Sequence, residues 1–144
     1  MINEPASAPE YKVFIFSENE DIKHLLKKAL EKRGYDISVY GKPERCSNYA
    51  VAGVKICTSA YRCADIVIIG RHIAEVRSLD FIERQIKGKC KIPLENKLVI
   101  SSTYDEKDTA KAQSLGVRIM YMPFSLAELN KWLDECEERL KKMK

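Results

Sequence analysis

The chain has 144 residues, of which 45% are hydrophobic and 32% charged, a composition that fits one globular domain with a real core rather than two domains or a disordered chain. Its 25 Lys and Arg against 21 Asp and Glu give a net charge of +4. Apart from Arg139, Lys141, Lys142 and Lys144 the excess is scattered, too mild to predict nucleic-acid or membrane binding. The longest apolar runs, such as Ile66-Val67-Ile68-Ile69, fall far short of a membrane span of about 20 residues. Met1-Ile2-Asn3-Glu4 has no signal-peptide character, so a soluble cytoplasmic protein is expected. Five cysteines is an odd number, and without a secretory context it favours reduced thiols, a metal site or a redox role over a disulfide framework.

Residues 1–10 carry Pro5 and Pro9 among small polar neighbours and predict a loose tail, which leaves 11–144 as a single domain. Val13-Phe14-Ile15-Phe16 is a short run of β-formers, as in a strand buried on both faces. Ile22, Leu25, Leu26, Ala29 and Leu30 then follow helical spacing, ended by Gly34. Tyr35 to Tyr40 alternates weakly and reads as a second strand. Lys42 to Cys57 is interrupted by Pro43 and Gly53, so the second crossover is expected to be irregular or remodelled. Ile66 to Ile69, stopped by Gly70, is the third strand. Leu79, Ile82 and Ile86 give a helix closed by Gly88, and Leu98-Val99-Ile100 a fourth strand. Thr103-x-x-Glu106 has capping-box form and starts a helix that ends at Gly116. Val117 to Tyr121 is the fifth strand, and Ser125-x-x-Glu128 opens a last helix lined by Leu129, Trp132, Leu133, Cys136 and Leu140. Five strands alternating with helices predict a doubly wound parallel α/β sheet with right-handed crossovers.

Over about Tyr11 to Leu140 the order of elements resembles the receiver domain of two-component response regulators. The anchors are Ala64-Asp65-Ile66-Val67-Ile68-Ile69, Leu115-Gly116 and Met122-Pro123-Phe124, the last similar to the family's Lys-Pro-Phe. The resemblance implies a flavodoxin-like sheet of order 2-1-3-4-5 with its site at the carboxyl ends of the strands. In receivers two acids after the first strand hold Mg²⁺, an aspartate ending the third strand takes the phosphoryl group, and a hydroxyl and a lysine contact the phosphate. Cations are needed there because a carboxylate nucleophile and a phosphoryl group repel. Carried over residue by residue, the acidic pair falls on Ser17 and Glu18, the acceptor on Gly70, the hydroxyl on Ser101 and the lysine on Met122. Three of the five positions have lost their chemistry, including the indispensable one. The resemblance therefore implies a pseudo-receiver that lacks the acceptor aspartate, with Mg²⁺ not expected.

Arg71 invites two readings, a guanidinium placed in the vacated pocket beside Glu18 or a solvated loop residue. His72 has no second ligand near it in sequence, and His24 lies on the polar side of its helix. Cys46, Cys57 and Cys63 run through the unusual crossover and Cys90 precedes the fourth strand; such residues bind Zn²⁺, form redox pairs or pack as small apolar groups. Glycine motifs for dinucleotides, phosphate loops and hydrolase elbows are absent, so no enzyme class is indicated. The expected function is a stand-alone signalling module acting by phosphorylation-independent protein contact, without DNA or membrane, as a monomer or homodimer. By resemblance its partner face lies around Thr109, Arg118, Tyr121 and Lys131. Ile119 stands where the family often has a switching aromatic, so one dominant conformation is expected near Ser101. The alternative function is a receiver-fold redox or metal sensor built on the cysteines.

Overall fold

The computed structural model describes residues 11–42, 61–73 and 76–143. The expected tail at 1–10, the crossover from 43 to 60, and with it Cys46 and Cys57, lie outside the described residues. In chain order the elements are β1 (Lys12–Phe16), α1 (Glu20–Glu31), β2 (Asp36–Tyr40), β3 (Ile66–Gly70), the two-residue strands β4 (His72–Ile73) and β5 (Val76–Arg77), α2 (Ser78–Lys87), β6 (Lys97–Ser101), α3 (Glu106–Leu115), β7 (Arg118–Tyr121) and α4 (Leu126–Lys141).

The main sheet has the order β2-β1-β3-β6-β7, with every pair parallel. Counting its own strands alone, that is the expected 2-1-3-4-5. Every residue of β3 and β6 is buried, because the two central strands have neighbours on both edges and helices over both faces. On one face Val13, Ile15, Ile66, Ile68, Leu98 and Ile100 meet Leu26 and Leu30 of α1 and Leu129, Trp132, Leu133, Cys136 and Leu140 of α4. On the other, Phe16, Val67, Ile69 and Val99 meet Leu79, Phe81 and Ile82 of α2 and Ala112 of α3. Alternation along each strand delivers one set of side chains to each layer.

Three local expectations need correction. The antiparallel pair of β4 and β5 was not anticipated, since two-residue strands are too short to show a period. In α2 the buried face runs through Leu79, Phe81, Ile82 and Gln85, whereas Ile86 is 41% exposed. Finally, α3 is capped by Asp105 and not by Thr103. The Asp105 carboxylate accepts from the backbone N–H of Lys107 and Asp108, while Thr103 is held in a turn by Ser101. The other capping box is observed, with Ser125 accepting from Glu128 N–H at 3.0 Å. Gly116 ends α3 at φ +85°, a conformation a side chain would strain.

Candidate functional site

The carboxyl ends of β1, β3 and β6 meet at a cleft of about 310 Å³. At the end of β1 the backbone N–H of Ser17 donates to the Tyr40 carbonyl at 3.0 Å, prolonging the strand ladder by one step. The Ser17 hydroxyl accepts from Asn19 N–H at 3.1 Å, and Asn19 in turn caps α1 by accepting from Ile22 N–H at 2.9 Å. This tight exit leaves Ser17 buried and turns Glu18 toward solvent. Gly70 ends β3 directly beside it: a Cβ built there would stand 3.0 Å from Ser17 Oγ and 3.4 Å from Ser17 Cβ. The space a side chain would enter is thus occupied by the serine. Asn19, Arg71 and Ser102 complete the polar lining, and Ile22 and Ile100 the apolar wall.

Arg71 does not bond Glu18. Its Nη2 lies 3.3 Å from Asp105 Oδ2 and its Nε 3.3 Å from Asp108 Oδ2, so it reaches away from Glu18 to the start of α3. Arg77 Nη2 binds the other oxygen of Asp108, and Ser78 N–H donates to the Arg71 carbonyl at 2.9 Å. The loop carrying β4 and β5 is therefore tied to α3 by two guanidiniums on two carboxylates. The Asp105 carboxyl is held below the usual carboxylate range, first by the Asp108 N–H, then by the Lys107 N–H and the nearby Arg71 and Arg77.

Ser101 is buried, and its hydroxyl donates to the Thr103 carbonyl at 2.9 Å and accepts from Thr103 N–H at 3.2 Å. It lines a narrow gap with Arg71, Asp108, Ile119 and Tyr121 on the α3 side of the sheet. The hydroxyl-bearing residue of this stretch that lines the cleft is Ser102, which sequence reasoning missed. Period-two alternation from Ile100, which also lines the cleft, was the available signal. Met122 does not line the cleft either: its side chain packs with Phe124 on the α1 and α4 core, and its N–H donates to the Ser101 carbonyl at 2.8 Å.

Of the four residues assigned to a partner face, Thr109 and Tyr121 are joined, with their hydroxyl oxygens 2.5 Å apart. Thr109 donates its proton to the Asp105 carbonyl at 3.0 Å, so Tyr121 is the donor of the pair. The ring of Tyr104, 64% exposed, lies 5.1 Å from that of Tyr121. Arg118 instead reaches Glu128 of α4 at 3.6 Å, and Lys131 is exposed on α4.

Cys63 is exposed ahead of β3 and Cys90 half-buried in the α2 layer. Among the described residues no three His, Cys, Asp or Glu side chains gather as a metal-holding group. The Cys136 thiol is pushed up to about 12, chiefly by burial, with Arg139 pulling the other way, and is an inert part of the core. His24 is exposed on α1. Among the described residues no helix is long and apolar enough to cross a membrane.

No protein-family model matches the chain, and no curated protein matches it by sequence. Solved structures do. The signal receiver domain of an HD domain-containing protein from Pseudomonas fluorescens superposes with a TM-score of 0.73 at 17% identity, over 93% of this chain and 99% of that one. A response regulator receiver protein from Pseudoalteromonas atlantica gives 0.71 at 16% identity, over 90% and 98%. The signal receiver domain of a modulated diguanylate cyclase from Desulfovibrio desulfuricans gives 0.68 at 17%, over 94% and 100%. At these identities the likeness establishes the fold, which is that of a response regulator receiver domain.

Proposed function

We propose that this receiver-fold chain is a signalling module that works by protein–protein contact without being phosphorylated. The observation that carries the reading is at the end of β3, where the resemblance places the acceptor: Gly70 has no side chain, and Ser17 Oγ stands 3.0 Å from where its Cβ would be. Among the described residues lining the cleft Glu18 is the one acidic residue, and a single carboxylate with a few hydroxyls is a poor ligand set for octahedral Mg²⁺. Arg71, which lines the cleft, is engaged by Asp105 and Asp108, and Met122 packs on the core where the resemblance places a lysine, so the cleft's cation is already paired. Contact through Thr109, Tyr121, Arg118 and Lys131 is the output this leaves, with a signalling protein as partner. DNA and membrane do not enter, and the state is a monomer or homodimer.

Intact-mass measurement after incubation with acetyl phosphate and Mg²⁺ tests the reading. An unchanged mass is expected. A labile adduct of one phosphoryl group on an aspartate overturns it.

A further inference from the structure

Away from the cleft, the chain's charge imbalance falls on the turn that leads from α2 to β6. Residues 84–94 hold four cations and no acid, and the rest of the chain is balanced at 21 of each. Like α2, α4 runs against the strands, so its basic C-terminal end comes to the same side of the molecule. There Arg139 donates to the Glu95 carbonyl and to Asn96 Oδ1, which fastens the end of α4 beside the turn. Basic stretches 43 residues apart in sequence thus meet on one surface.

Beneath the turn Lys97 is buried against Gln85, whereas Lys87, Lys89, Lys91 and Lys142 are exposed and enter no ion pair among the described residues. The acids of α2 are used elsewhere: Asp80 and Glu83 both hold Lys111 of α3, at 2.7 and 3.2 Å. A lysine at a helix C-terminus offsets the helix dipole, which accounts for Lys87 and Lys142 but not for Lys89 and Lys91, both past the end of α2. Lys89 takes φ +60°, which a glycine adopts freely and a lysine only at a cost. As an exposed residue it has no packing role to offset that. Ile86, 41% exposed, belongs to the same turn, its carbonyl accepting from Lys89 N–H at 3.1 Å. A large apolar side chain flanked by unpaired ammonium groups is complementary to a segment with carboxylates on both sides of an apolar residue. A second copy meeting this surface about a two-fold axis would set like charges against one another. A single-stranded nucleic acid needs aromatics to stack on, and residues 84–94 contain none.

We infer that the turn after α2, with the end of α4 beside it, docks an acidic segment of a partner protein, its carboxylates on Lys87, Lys89, Lys91 and Lys142 and an apolar residue against Ile86. The inference stands apart from the proposed function, since it uses neither Gly70 nor the face of Thr109 and Tyr121.

The test is an amide NMR titration of the protein with a peptide of about 12 residues carrying glutamates on both sides of a leucine, alongside a version with every glutamate changed to glutamine. Saturable shifts at residues 86–91 and 139–143, weakening as salt is raised, are expected with the acidic peptide and none with the neutral one. Lys87→Gln with Lys91→Gln should weaken binding by about three-fold or more. Lys89→Gly should weaken it while leaving the melting temperature equal or higher, because glycine relieves the backbone there; a lysine with a structural role would not part the two readouts. Absence of saturable shifts, equal response to the neutral peptide, or indifference to the lysine variants overturns the inference. Tighter binding to vesicles of phosphatidylserine and phosphatidylcholine, or to a single-stranded RNA of about 20 nucleotides, assigns the surface to a membrane or to nucleic acid and also overturns it. A phosphoryl adduct in the mass experiment would sink the proposed function and leave this result standing.

Discussion

The two ends of the sheet handle polar groups in opposite ways. At the amino end they are buried and saturated: Asn96 is fully buried, donates to the Asp65 carbonyl at 3.0 Å and accepts from Arg139 Nε at 2.8 Å. Lys97, also buried, donates to Gln85 Oε1 at 2.7 Å. Arg139 goes on to the Glu95 carbonyl at 2.9 Å, tying α4 to the entry of β6. At the carboxyl end the polar residues ring an opening instead, with Glu18 and Ser102 exposed beside a buried Ser17. Saturated polar groups specify a structure, while polar groups around a void are available to something else. The same residue types therefore mean architecture at one end and a candidate surface at the other.

That contrast breaks most readily at Asn96. Asn96→Ala removes one donor and one acceptor from a fully buried site and should cost about 2–4 kcal/mol in chemical denaturation. A loss below 0.5 kcal/mol would put the amino end on the same footing as the rim of the cleft. Next in size is Gly70→Ala, expected to cost about 1–2 kcal/mol because the new methyl presses on the Ser17 hydroxyl. In a Ser17→Ala background the same change should be cheaper by about 0.5–1 kcal/mol, a coupling that a double-mutant cycle reads directly.

A smaller effect is expected at Asp105, and it depends on pH. Its carboxyl is depressed in the folded chain, so its contribution is complete above the ordinary carboxylate value near 4. It is lost as the pH falls through the depressed value below that. The gap in melting temperature between the parent and Asp105→Ala should hold steady near neutrality and close in acid. A gap that widens on acidification contradicts the sign. Smallest is Arg118→Ala, whose partner Glu128 is comparably exposed; a change within 0.5 kcal/mol is expected. Any larger loss would show that the β7 edge is structural and ill suited to be given over to a partner.

The central strands were legible because burial on both faces makes them continuously apolar: Ile66 to Ile69 and Leu98 to Ile100 read correctly without any neighbour's help. Trp132, Leu133 and Cys136 were legible for the corresponding reason on a helix. What escaped was settled by contacts distant in sequence or by competition within one turn. The acids that hold Arg71 lie 34 and 37 residues beyond it, and nothing local announces them. Thr103 and Asp105 both satisfy cap chemistry, and the choice fell to Asp105 because Ser101 had already fixed the Thr103 backbone. Gly70 was legible as a missing side chain, but the serine filling its place was not.

The Ser17 and Gly70 contact also sets the order in which this chain can change. Placing a carboxylate on residue 70 requires the serine to retreat first, since a Cβ alone already touches it. Placing one on residue 17 first would bury a charge where the serine is 2% exposed, with no cation bonded to it. Each single step toward an acidic pocket is thus uphill. The contact therefore resists a side chain at residue 70 for as long as Ser17 holds its place.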